Sequence, residues 1–241
     1  MRFCLQLYFI CWLFVSGTAN AQPLRIAVAS NFKAPLQQVI SGFEKSFNVE
    51  VSLSSASSGV LFQQIIHGAP FDLFLSADEE KVDLLLTKGI AVENSKQIYA
   101  IGELVFYSPG NTVSLSTLNE QEHLTIAVAN SKHAPYGIAT QAYINKFIKP
   151  LKVRKITTNN IAQTFQVVDT GNAEAGFVSL SHVRLKGIDE HFYERLDVVE
   201  AKIPQAGVII ARSKQQQQAL ALLNYLNSAP VKQQLAEFGY R

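Results

Sequence analysis

Apolar residues along this chain alternate between two rhythms. Runs of strand length, such as "LRIAVAS" (24–30), are followed by stretches in which apolar residues recur every three or four positions. Leu36, Val39, Ile40 and Phe43 do so in "APLQQVISGFEKSF" (34–47). The first rhythm predicts a strand, the second an amphipathic helix. The pair recurs as "VEVSLSS" then "GVLFQQIIHG", with Leu61, Ile65 and Ile66 on one face, and again as "FDLFLSA" then "DEEKVDLLLTKG". Asp78 is placed to cap the last of these helices, Glu79 and Glu80 suit its positive first turn, and Gly89 can end it. Strands alternating with helices in this way predict parallel βαβ units.

A second series starts near "IGELVFYSPG" (101–110). It offers "LTIAVAN" as strand, "YGIATQAYINKFI" and "NIAQTFQVVDTGN" as helices, "AEAGFVSLS" as a short apolar strand entering a turn, and "AGVIIAR" as strand. The chain closes with two helical pieces broken at Pro230. The four glutamines at 215–218 fit a solvated helix face. Two βα series of similar size, with the chain passing between them near residues 100–106 and 202–208, predict an α/β fold of two lobes. Lobe I takes residues 22–101 plus 207–241, and lobe II takes 102–206. Two linking strands permit a hinge, and ligands of such folds bind in the crevice at the carboxyl ends of the strands.

Residues 1–21 stand outside this pattern. Arg2, an apolar run from Phe3 to Val15 and the Ala19-Asn20-Ala21 site read as a cleavable secretory signal peptide. The run is short of the roughly 20 apolar residues that a membrane span needs. The expected location is the periplasm. Both cysteines, Cys4 and Cys11, fall in this leader, so the predicted mature chain has neither a disulfide nor a thiolate metal site. Lys and Arg number 21 against 19 Asp and Glu, a formal net charge of +2 without a basic run, which argues against a nucleic-acid partner.

The candidate chemistry lies where strands hand over to helices. "AVASNFKAP" puts Ser30 and Asn31 at one such junction, and "SSASSGVL" puts Ser57 and Ser58 at another. A helix start exposes unpaired N–H groups and the positive end of the dipole, and neutral hydroxyls and amides add donors there without adding charge. Such a place suits an anion. Each junction alone is equally the mark of a plain helix cap, since Ser and Asn are favoured there. Two in one lobe, joined by "KHAPYGIATQ" at Pro135 and Tyr136 and by "TTNNIAQTF" at Asn159 or Asn160, could converge on one cleft. The junctions carry no Asp or Glu to accept a proton from a protonated ligand, so a fully deprotonated oxyanion fits better than phosphate.

The segments "IAVASNFKAPL", "SSASSGVLFQQIIHGAPFDLFLSAD", "HAPYGIA" and "AEAGFVSLS" occur in the order in which the chain resembles the periplasmic molybdate-binding proteins of ABC importers. The likeness covers essentially the whole predicted mature chain. It implies the two-lobed periplasmic binding protein fold of the second type, with no cofactor and no metal bound directly. The ligand would be molybdate or tungstate, held as an oxyanion by Ser30, Asn31, Ser58 and the backbone N–H groups of Tyr136 and Ile161, with Ser57 nearby. Many members place a tyrosine hydroxyl on the ligand from the short strand near residue 179. This chain has Ser179 there, so Asn31 or Tyr136 would make up the difference. The implied partner is a membrane-embedded ABC permease, and the implied state is a monomer.

Other readings use the same residues. A binding protein for another oxyanion such as sulfate would look alike, as would a receptor lobe signalling to a membrane partner. A periplasmic serine hydrolase would need Ser58 as nucleophile, His133 as base and Asp169 as its carboxylate, although no G-x-S-x-G elbow is present. The five histidines show no metal-ligand spacing.

Overall fold

The computed structural model describes residues 22–110, 113–118, 120, 123–148 and 153–241, so the predicted leader lies outside the described residues. The elements follow in the order β1 (Leu24–Ala29), α1 (Lys33–Phe47), β2 (Val51–Ala56), α2 (Ser58–Ile66), β3 (Leu73–Leu75), α3 (Glu80–Thr87) and the long β4 (Gln97–Tyr107). Then come β5 (Thr125–Ala129), α4 (Pro135–Phe147), β6 (Arg154–Thr158), α5 (Ile161–Asp169), β7 (Ala175–Ser179), α6 (Leu180–Leu185) and β8 (Tyr193–Arg195). The chain ends with β9 (Lys202–Ile209), α7 (Gln216–Leu226) and α8 (Ala229–Glu237).

The strands form two sheets that share β4, in the order β2-β1-β3-β9-β4-β7-β5-β6, with β8 also on β4. In the first lobe β2, β1 and β3 are parallel, as the βαβ pattern requires, and β9 runs antiparallel to β3. In the second lobe β6, β5 and β7 are parallel, and β7 and β8 run antiparallel to the far end of β4. The two lobes are joined by β4 and β9, which pair antiparallel from Gln97↔Gly207 to Glu103↔Lys202. These are the two crossing strands expected from the sequence.

Each lobe buries apolar side chains on both faces of its sheet. In the first, Leu36, Val39, Ile40 and Phe43 of α1 pack with Leu222, Leu223 and Leu226 of α7 on one face, while Leu61 and Ile65 of α2 meet Phe74 and Val208 on the other. In the second, Tyr136 and Ile144 of α4 pack over Leu104, Phe106 and Phe177, and Val168 of α5 packs with Val105 and Val178 opposite them. Helical and strand periodicities thus do in the structure what they promise in the sequence.

Local expectations are met with some differences. Asp78 accepts a hydrogen bond from Lys81 N at 3.1 Å, and Gly89 ends α3 at a φ of 67°. The last two helices are separated at Asn227 and Ser228, and Pro230 lies in the first turn of α8, where its missing N–H costs nothing. "AEAGFVSLS" enters a short helix, α6, rather than a turn. β6 has largely exposed side chains and is an edge strand, so hydrophobic rhythm does not announce it.

Candidate functional site

Five strand-to-helix junctions meet between the lobes, four of which carry the predicted residues. Ala29, Ser30, Asn31, Ser57, Ser58 and Ala77 from the first lobe, with Ala134, Pro135, Tyr136 and Ile161 from the second, line one small cleft. The predicted residues Ser30, Asn31, Ser57, Ser58, Tyr136 and Ile161 are therefore brought together. All of them are buried. A larger groove, near Arg25 and Arg212, lies away from all of these residues and gathers none of the junctions.

Helix capping does not account for the serines. Ser57 stands at the N-cap of α2 but makes no side-chain capping bond, and Phe32, without a capping side chain, holds that position for α1. The Ser58 hydroxyl oxygen accepts from Ala77 N at 2.9 Å, which leaves its proton to donate. Ser57 Oγ lies 3.1 Å from His133 Nδ1, and Gly59 N donates to His133 O at 2.9 Å, so the two lobes touch beside the cleft. A methyl group at Gly59 would lie 2.6 Å from that carbonyl oxygen, so only glycine permits this approach.

The second lobe contributes backbone. Tyr136 follows Pro135 in the first turn of α4, and Ile161 opens α5 behind Asn160, whose Oδ1 caps Gln163 N at 3.0 Å. N–H groups in a first helical turn have no partner within their helix and carry the positive end of the dipole. The residues lining the cleft include no Lys, Arg, His, Asp or Glu. Such a site stabilises negative charge by oriented neutral donors and supplies no carboxylate or imidazole to accept a proton.

Ser179, whose contact with the ligand the sequence left in doubt, does not line the cleft. It is fully buried, and its Oγ lies 2.5 Å from His182 Nδ1 and 3.1 Å from Ser181 Oγ. Burial lowers the His182 pKa to about 4, so the ring is neutral and Nδ1 can accept the Ser179 proton. The hydrolase arrangement is not assembled either. His133 pairs with Ser57 rather than Ser58, and Asp169 pairs with Lys186 and lies 3.5 Å from Tyr107 Oη. Among the described residues, no group of three or more metal-ligating side chains could hold a metal ion.

Sequence reasoning missed what lies behind Asn31. Tyr99, Tyr136, Gln205 and Tyr240 are all buried around it, and burial raises the pKa of each of the three phenols so that they remain protonated donors. Gln205 interrupts an otherwise apolar strand, "QAGVII", and that was the only local signal.

Two α/β lobes hinged on paired strands, enclosing a small cleft lined by neutral donors, define the two-lobed periplasmic binding protein class. The chain belongs to the bacterial extracellular solute-binding protein family, whose pattern matches residues 24–241. It is 35% identical to the molybdate-binding protein ModA of Azotobacter vinelandii over 92% of this chain and 91% of that protein. It is 30% identical to ModA of Rhodobacter capsulatus, covering 92% and 89%. The solved periplasmic molybdate-binding protein of Azotobacter vinelandii superposes with a TM-score of 0.80 at 26% identity, over 90% of this chain and 98% of that one. The sulfate-binding protein SubI of Mycobacterium tuberculosis shares the fold, with a TM-score of 0.73 at 15% identity, covering 92% and 87%.

Proposed function

We propose that this protein captures molybdate, and with it tungstate, in the interlobe cleft and delivers it to an ABC permease from the periplasm, performing no chemistry itself. The reading rests on one observation above all: donors from four helix junctions in both lobes line a single cleft that holds no charged side chain. A fully deprotonated tetrahedral dianion offers only acceptors, and the cleft offers it Ser30, Asn31 and Ser58 side chains with the Tyr136 and Ile161 N–H groups. Because the donors come from both lobes, the ligand is held best when the lobes are closed. Closure is then the state that a permease can read. The ModA relatives support the choice of molybdate. The protein acts as a monomer in this reading, and residues 1–21 direct its export and are removed.

Thermal unfolding of the mature protein with molybdate, tungstate, sulfate and phosphate tests the proposal. A ligand at 100 times its Kd adds about 2.7 kcal/mol. Molybdate and tungstate are expected to raise Tm strongly, and sulfate and phosphate not. An equal shift with sulfate overturns the choice of molybdate, and no shift with any of the four overturns the oxyanion site.

A further inference from the structure

Asn31 lines the cleft, yet most of its polar contacts run the other way. Its Nδ2 lies 2.9 Å from Gln205 Oε1 and 3.0 Å from Tyr240 Oη, and its carbonyl oxygen accepts from Tyr240 Oη at 2.9 Å and from Ser181 Oγ at 3.2 Å. Gln205 Oε1 also lies 3.0 Å from Tyr99 Oη, and Gln205 Nε2 lies 3.4 Å from Tyr136 Oη. Tyr99 Oη is 3.0 Å from the carbonyl oxygen of Ser76. In this setting Asn31 Oδ1 is buried with no partner. A lone buried carbonyl oxygen is costly, and in a residue lining an anion cleft it has the wrong sign.

A primary amide keeps its heavy-atom positions when turned by half a rotation, so the hydrogens decide between the two settings. The Ser76 carbonyl can only accept, so it takes the one proton of Tyr99. Tyr99 Oη must then accept from Gln205, which puts the Gln205 NH2 group where it faces both Tyr99 and Asn31. Asn31 must in turn present Oδ1 to Gln205 and to Tyr240, whose one proton then goes to Oδ1 and leaves the Asn31 main-chain carbonyl to Ser181 Oγ, and Tyr136 Oη donates to the Gln205 carbonyl oxygen. Every hydrogen in the cluster is then used except those of the Asn31 NH2 group, which takes the place of the orphaned oxygen. Gly102 leaves room for this arrangement, since a Cβ there would collide with both Tyr136 Oη and Gln205 Nε2.

We infer that Gln205 is a positioning residue: from the hinge strand β9 it turns the Asn31 amide so that its NH2 group, not its oxygen, faces the anion. The Ser76 carbonyl sets Tyr99, Tyr99 sets Gln205, and Gln205 sets Asn31. The result is a cleft lined by donors only, which favours a fully deprotonated oxyanion over one that must itself donate a proton. This inference rests on the oxyanion reading above, and it places the determinant of that preference on a residue that does not line the cleft.

Two measurements test it. The first is a calorimetric cycle with molybdate on the wild type, Gln205→Met, Asn31→Ala and the double variant, with Tm recorded for each. Gln205→Met is expected to weaken binding about tenfold in the wild-type background and less than twofold in the Asn31→Ala background, because its effect passes through that amide. An equal loss in both backgrounds, or no loss in either, overturns the inference. The second needs no ligand and stands even if molybdate fails to bind the wild type: side-chain amide NOEs in the free protein. Contacts from the Gln205 NH2 protons to the Tyr99 ring support the assignment, and contacts to the Tyr136 ring instead overturn it.

Discussion

Glu103 on β4 and Gln205 on β9 sit on the paired hinge strands a few residues apart along the ladder, and both are buried. Their surroundings differ completely. Glu103 gathers full charges: Arg195 reaches it with two nitrogens at 2.7 Å, Lys202 Nζ lies at 2.7 Å and Arg241 Nη2 at 3.8 Å. Gln205 gathers only amides and hydroxyls, from Asn31, Tyr99 and Tyr136. The hinge thus keeps its cations engaged on an internal carboxylate, and a neutral cluster backs the cleft. A cation in the cleft would attract any anion, protonated or not. Oriented dipoles discriminate, because each donor demands an acceptor at a fixed place.

The largest expected effect comes from giving the neutral cluster the character of the charged one. Asn31→Asp sets a carboxylate at the cleft with no cation among the lining residues to pair it. An unpaired charge in such a site costs about 3–5 kcal/mol, so molybdate affinity is expected to fall at least a hundredfold by titration calorimetry. A loss below tenfold would show that the cleft tolerates charge and that the contrast with the Glu103 cluster has no bearing on binding.

Removing single donors is milder. Ser30→Ala and Ser58→Ala each withdraw one hydroxyl from a desolvated dianion, at about 1.5–3 kcal/mol, or about ten- to a hundredfold in Kd. The same calorimetry reads both. Ser58→Ala also leaves Ala77 N without its acceptor, so it should lower Tm as well.

These residues were legible in the sequence because a junction is a local signal. A small polar residue between an apolar strand and a periodic helix marks a place where backbone donors emerge, and Ser30, Asn31, Ser57 and Ser58 carry that mark, whereas the Tyr136 and Ile161 N–H groups were expected only from the resemblance to a family. The crossing strands could likewise be placed from the two βα series. The amide pair could not, since Asn31 and Gln205 are separated by 174 positions and neither Tyr99 nor Tyr240 differs in sequence from an ordinary core aromatic. β6 escaped because an exposed edge strand has no apolar alternation to display. Ser179, which the sequence left open as a contact, is turned toward its own helix start.

Neutralising the charged cluster should separate stability from binding. Burial alone would raise the Glu103 pKa, but the hydrogen bonds and charges of Arg195 and Lys202 outweigh it and hold the pKa below the ordinary carboxylate value. The unfolded chain therefore binds the proton more readily. The stabilisation is present above the ordinary carboxylate pKa and is lost as pH falls through the lowered one. The cationic side chains are partly exposed, so solvent screens part of the pairing. Glu103→Gln should cost about 1–2 kcal/mol at neutral pH, a drop of several degrees in Tm, with a smaller acid loss and molybdate affinity unchanged. A tenfold change in affinity would join the two clusters into one.

Ser179→Ala should have the smallest effect on binding. The Ser179 hydroxyl is engaged with His182 and Ser181, and its only route to the cleft runs through Ser181 Oγ to the Asn31 carbonyl oxygen, which Tyr240 Oη also contacts. Ser181 Oγ itself is retained in the variant and still donates to that carbonyl, so the Asn31 backbone should hold its position and molybdate affinity should stay within twofold. Stability should fall by about 1 kcal/mol for the lost hydrogen bond. One acid response should survive the substitution. Burial, not the serine, keeps His182 neutral, so its contribution is complete above the ordinary histidine pKa of 6.5 and is lost as pH falls from there to about 4. Thermal unfolding across that interval, on both proteins, should give parallel curves offset by the hydrogen bond. A tenfold loss of affinity in Ser179→Ala would mean instead that Ser181 and Ser179 brace Asn31 from behind, and that the neutral cluster extends through α6 into the second lobe.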